Sequence, residues 1–152
     1  MRLAPSIALL ALTGVTAMLR GADPAPASFA RVEVAPTWTS VYVGTVSLTI
    51  PTLVRNASGD YEAAYAARVF PYFFYNEQGR IAIRVSDESL GRLARGETIE
   101  FTGRAINTMS EVRQVEGKAT PVEATRGRIK VRVRVSPRIE LIFNTTYHFP
   151  TE

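Results

Sequence analysis

From residue 29 onward, apolar and polar residues alternate with a period of two in segment after segment, the pattern of strands with one buried and one solvated face. The alternation is cleanest at 128–135, where Ile129, Val131, Val133 and Val135 interleave with Arg128, Lys130, Arg132 and Arg134. At 80–85, Ile81, Ile83 and Val85 oppose Arg80, Ala82 and Arg84, and at 97–106 Ile99 and Phe101 oppose Glu100, Thr102 and Arg104. In 138–149, Ile139, Leu141, Phe143, Thr145, Tyr147 and Phe149 share one face. Segment 111–124 reads as a strand interrupted at Pro121, and 29–34 as a short first strand. Residues 38–50, rich in β-branched and aromatic side chains, read as one strand stopped by Pro51. Turns are expected at Asn56-Ala57-Ser58-Gly59, Asn76-Glu77-Gln78-Gly79, 107–110, Thr125-Arg126-Gly127 and Ser136-Pro137.

Two stretches depart from simple alternation. Residues 61–75 begin Ala-rich, which a helix would accept, and end in Val69, Phe70, Tyr72, Phe73, Phe74 and Tyr75, which favour extended chain; Pro71 predicts an edge or bent strand there. Residues 86–95 carry the helix signals: Ser86 as N-cap, Asp87 and Glu88 in the first turn, Leu90 and Leu93 as an apolar stripe, and Gly96 as the stop. About seven or eight strands with one short helix predict an all-β fold, an antiparallel sandwich or a small barrel. Both architectures require the same alternation, so the pattern leaves the two open. The sequence Gly79-Arg80-Ile81-Ala82-Ile83-Arg84-Val85 is echoed at Gly127-Arg128-Ile129-Lys130-Val131-Arg132-Val133, as expected when a turn glycine precedes an apolar/basic alternation.

The start of the chain has a different character. Residues 1–27 read as an export signal: Arg2 precedes the apolar stretch 7–17, and small residues offer cleavage after Ala27, with Ala17 and Ala22 as alternatives. Residues 28–37 then form an Ala/Pro-rich leader with the first short strand, and 38–152 a single β domain. A periplasmic or secreted location follows as the expectation.

Composition narrows the chemistry. With no Cys and one His among 152 residues, disulfide scaffolds, Cys-based metal centres and Cys nucleophiles are excluded. His148 has no nucleophile motif such as Gly-x-Ser-x-Gly to serve and reads as an exposed residue without a role. No catalytic residue, metal site or cofactor is expected. The formal charge is +4, and losing Arg2, Arg20 and Asp23 with the leader lowers it to +3; the cations are sixteen Arg and two Lys.

Two constellations remain as candidate sites. Phe70, Tyr72, Phe73, Phe74 and Tyr75 place rings on both faces of one strand, more than one core face can take, and so mark an apolar or sugar-stacking surface unless a second layer covers them. Arg128, Lys130, Arg132 and Arg134 align four cations roughly 7 Å apart on one face, an anion-binding stripe unless carboxylates such as Glu100, Glu111, Glu116 or Glu140 neutralise it. The expected function is an exported, non-catalytic binding, carrier or envelope-interaction module for an apolar or anionic ligand or an envelope protein. The alternatives are a small outer-membrane-type barrel, suggested by Tyr147 and Phe149 as a girdle, and an enzyme of unknown class. Nucleic acid is not expected as a partner, nor membrane insertion.

Overall fold

The computed structural model describes residues 29–42 and 44–151, so the leader and its cleavage sites lie outside the described residues. Ten strands follow one another: β1 (Arg31–Val34), β2 (Thr37–Val41), β3 (Gly44–Thr49), β4 (Leu53–Arg55), β5 (Asp60–Phe70), β6 (Glu77–Arg84), β7 (Ile99–Asn107), β8 (Val112–Glu123), β9 (Arg126–Ser136) and β10 (Ile139–His148). One helix, α1 (Asp87–Ala94), separates β6 from β7. All ladders are antiparallel, and the order β5–β4–β1–β10–β9–β8–β7–β6 closes through a β5–β6 ladder into an eight-stranded barrel. The barrel, rather than the sandwich, is therefore the architecture. β2 and β3 are additional, forming a hairpin that extends from the second half of β5.

Two prolines explain why these strands are separate. Pro36 interrupts the chain between β1 and β2, and Pro51 between β3 and β4, because proline offers no N–H to a ladder. β1 pairs with β4 below the breaks and β2 with β3 above them. β2 has no ladder with β10; the Thr37 hydroxyl donates to the Asn144 carbonyl at 2.9 Å and the Thr145 hydroxyl to the Ala35 carbonyl at 2.7 Å. The expected single strand over 38–50 is thus corrected to two, since Val41 already pairs with Gly44. Gly44 is required at this point: a Cβ there would lie 2.3 Å from the Phe70 carbonyl oxygen.

Inward positions carry the core, and outward positions are mostly polar, as the alternation predicts. Val46, Tyr61, Ile81, Phe101, Val115, Val131 and Phe143 fill the barrel. The Phe101 ring lies over Gly117, where a Cβ would come within 2.1 Å of it, so glycine on β8 makes room for the aromatic on β7.

One end of the barrel is plugged. α1 begins with the Ser89 amide donating to the Ser86 hydroxyl at 3.1 Å and stops at Gly96, in the left-handed region at φ 86°. Its Leu90 and Leu93 are buried, as are Phe29 and Phe149, whose rings meet edge to face at 4.6 Å. Arg55 ties the helix start to the wall, donating to Asp87 at 2.7 Å and to the Val85 carbonyl at 2.9 Å. Behind the plug, an apolar cavity of about 90 Å³ lies among Leu53, Leu90, Ile99, Phe101, Val131 and Phe149. Burial pushes the Tyr61 and Tyr147 phenols, which border this cavity, up to about 12.

Candidate functional site

The opposite end, reached by the β2–β3, β5–β6, β7–β8 and β9–β10 connections, has no covering helix among the described residues. The inward-facing Val41, Leu48, Val69, Val133 and Leu141 near this end are only partly buried. Four inward polar residues line one side of it. Glu77 at the start of β6 accepts from the Tyr65 hydroxyl of β5 at 2.6 Å and from the Arg113 guanidinium of β8 at 3.0 Å. Arg113 also donates to Glu111 at 2.8 Å and to the Val135 carbonyl at 3.0 Å. Asn107, buried at the end of β7, donates to Glu111 at 2.8 Å and accepts from the Met109 and Glu111 amides, which sets the tight β7–β8 turn.

The electrostatics of this group are self-contained. Burial works to raise the Glu77 carboxyl, but hydrogen bonds from Arg113, Tyr65 and Asn107 outweigh it and hold the group below its usual value. Burial, and then the hydrogen bond to Glu77, pushes the Tyr65 phenol well up, while the Glu77 contact raises Arg113. A carboxylate held ionised and a phenol held neutral form a brace between β5, β6 and β8, with no group poised to exchange a proton near neutrality.

Around this mouth stand the aromatics singled out in the sequence, with one correction. β5 ends at Phe70, and Phe73–Tyr75 form a single 3-10 turn after Pro71, so the expected extended chain through Tyr75 stops early. Pro71 offers no N–H to a ladder; its carbonyl instead accepts from the Phe73 amide, and the Asn76 side chain closes the loop by accepting from the Val69 amide at 2.8 Å. None of the five rings is buried; Phe73 is 62% and Phe74 76% exposed. They touch one another instead, Phe74 against Tyr75 at 4.5 Å, Tyr72 against Phe74 at 5.8 Å and Phe70 against Phe73 at 5.9 Å. A second core layer over them, the alternative reading of their excess, is not present among the described residues. Tyr42 and Met109, at the tips of neighbouring connections, add to the same rim and were not singled out by the sequence pattern.

The basic stripe runs along the outer wall of β9. Arg132 is ion-paired with Glu140 at 2.5 Å, Lys130 faces Lys118 across the β8 ladder, and Arg128 lies between Thr120 and Thr146. Arg134 lies between Gln114 and Glu140 in register and has no ion pair among the described residues. Of the carboxylates expected to neutralise the stripe, Glu140 alone does so; Glu111 is engaged with Arg113 and Glu100 with Lys118. His148, at the plugged end, lies 3.1 Å from Glu33 across the β1–β10 ladder, each side chain about half exposed. A polar groove of about 420 Å³ between Arg55, the 56–59 turn and the start of α1 is internally saturated, since Arg55 and Asn56 bond within it. Among the described residues, no three His, Asp or Glu side chains converge in a way that could hold a metal ion.

Comparison with known proteins found no matching family model, no matching curated protein and no matching solved structure.

Proposed function

We propose that the chain is an exported, non-catalytic interaction module that docks end-on, with the unplugged end of its barrel as the contact surface. The observation that carries this reading is the exposed segment Phe70, Tyr72, Phe73, Phe74 and Tyr75, which stands at the rim where no element of the described chain covers it. Support for export is the leader pattern of residues 1–27.

Between a carrier and a surface module, the interior favours the surface. The cavity of about 90 Å³ is well below the roughly 300 Å³ at which pockets for drug-sized ligands begin. Against a spanning barrel stands the outer wall, where Arg80, Arg84, Arg104, Lys118, Lys130 and Arg132 occupy positions that a lipid-facing band fills with apolar residues. Against an enzyme stands the mutual engagement of Tyr65, Glu77 and Arg113, in which both charges are already paired and only the buried Arg113 Nε lacks a partner.

Photo-crosslinking tests the reading directly. A photoreactive residue at position 73, on the rim, is expected to give adducts in the protein's own compartment, and the same residue at position 122, exposed at the plugged end, is not. Equal labelling from both positions, or none from 73, rejects end-on docking.

A further inference from the structure

We infer that the surface met by the open end is an anionic phospholipid bilayer, engaged peripherally by the loop tips without a spanning strand. This rests on the end-on reading above and names its partner.

Three independent features converge on that chemistry. Exposed large apolar side chains are concentrated in the open half of the barrel; among the described residues only Val54 and Val122 lie elsewhere. Each of the four connections at this end presents one: Tyr42, Phe74, Met109 and, where β10 begins, Ile139. Four tips on one rim can enter a planar interface together.

Charge leans the same way, although Arg31, Arg128 and Lys130 toward the plugged end are also exposed and without an ion pair among the described residues. Arg68, Arg80, Arg104, Arg134 and Arg138, all in the open half or its connections, are exposed and have no ion pair among the described residues. The acids of that half are mostly spent on other cations: Glu77 and Glu111 hold Arg113, Glu140 holds Arg132, and Glu116 alone is unengaged. Free arginines behind a rim of aromatic tips match the two layers of an anionic leaflet, phosphates outside and the headgroup–acyl boundary beneath.

The outer wall sets the depth of contact. Arg80 and Arg134 lie a few residues behind the tips on β6 and β9, so deeper burial would take charged side chains into hydrocarbon. The rings therefore reach the interface and the arginines stop at the phosphates.

Sedimentation of the protein with vesicles of equimolar phosphatidylglycerol and phosphatidylcholine, against phosphatidylcholine alone, provides the test. Binding to the anionic vesicles is expected to be at least tenfold stronger and to weaken as salt is raised. Phe73→Ser with Phe74→Ser should lower it at least tenfold, and Arg68→Gln with Arg138→Gln about twenty-fivefold, taking roughly fivefold per arginine. Val122→Ser at the plugged end should leave it unchanged, which separates the rim from exposed apolar side chains elsewhere on the barrel; a change as large as that of the rim replacements overturns the end-on geometry. No binding, equal binding to neutral vesicles, or binding indifferent to the Phe73 and Phe74 replacements overturns the bilayer as partner. In that event protein adducts from position 73 in the crosslinking experiment would still sustain end-on docking, and their absence would remove both.

Discussion

At one end of the barrel, Leu90 and Leu93 of α1 come down onto the core together with Phe29 and Phe149, and the polar groups of the neighbouring turn bond to one another. At the other end the connections are short, the aromatic side chains point away from the core, and the polar residues turn inward as a brace of Tyr65, Glu77, Arg113 and Asn107. Apolar groups are thus inside at the plugged end and outside at the open one. Folding stability rewards only the first arrangement, so the second calls for a reason outside the folded chain.

The sharpest way to test that contrast is to remove an apolar side chain from each end. Leu90→Ala should cost about 3 kcal/mol of unfolding free energy in urea titrations, because the side chain is 1% exposed and the barrel cannot collapse around its absence. A loss below about 1 kcal/mol would mean that α1 is an ornament and not a plug.

The brace should come next. Glu77→Gln removes one of the two carboxylates that hold a guanidinium whose side chain is only 17% exposed, and should cost about 2 kcal/mol at neutral pH. Its pH dependence has a definite sign. The folded Glu77 titrates below its unfolded value of 4.5, so its contribution is complete above that pH and is lost as the pH falls through the folded value. The stability gap between the parent protein and Glu77→Gln should therefore be constant from neutrality down to about pH 4.5 and narrow below it. A gap that widened on acidification would contradict the ion pair.

The smallest effect belongs to the rim. Phe73→Ser with Phe74→Ser should change unfolding free energy by no more than about 0.5 kcal/mol, since both rings are already in solvent. A loss above about 2 kcal/mol would place them in the core after all and erase the difference between the ends.

The strands β6 to β10 and the helix were legible because each repeats one local rule many times: Ile81 and Ile83, or Ile129, Val131 and Val133, mark inward positions without ambiguity, and Ser86 and Gly96 bracket α1. Closure was not legible. It depends on β1 meeting β10 and β5 meeting β6, and both are compatible with the alternation that a sandwich would also show. The β2–β3 reversal escaped because Gly44 is its only turn former amid residues that favour strands. The aromatic segment was recognisable from its excess of rings, although the 3-10 turn that lifts them out of the wall was not. The brace was missed for a simpler reason. Glu77 and Arg113 stand at the ends of strands, where a polar residue reads as the beginning of a loop, and only the phase of Ile81 and Val115 shows that they point inward.

The proline breaks in the first two strands also bear on how the molecule avoids its own kind. A closed barrel offers no free main-chain edge to a second copy, but here β2 lies beside β10 without a ladder, and the groups that β2 and the first part of β10 turn toward each other are the stretch of wall among the described residues where a foreign strand could pair. On the β2 side that stretch is five residues long and begins next to Pro36, and the seam is bridged by the Thr37 hydroxyl on the Asn144 carbonyl and the Thr145 hydroxyl on the Ala35 carbonyl. An incoming chain would have to part these bridges before it could pair, which guards the seam where the barrel is least complete.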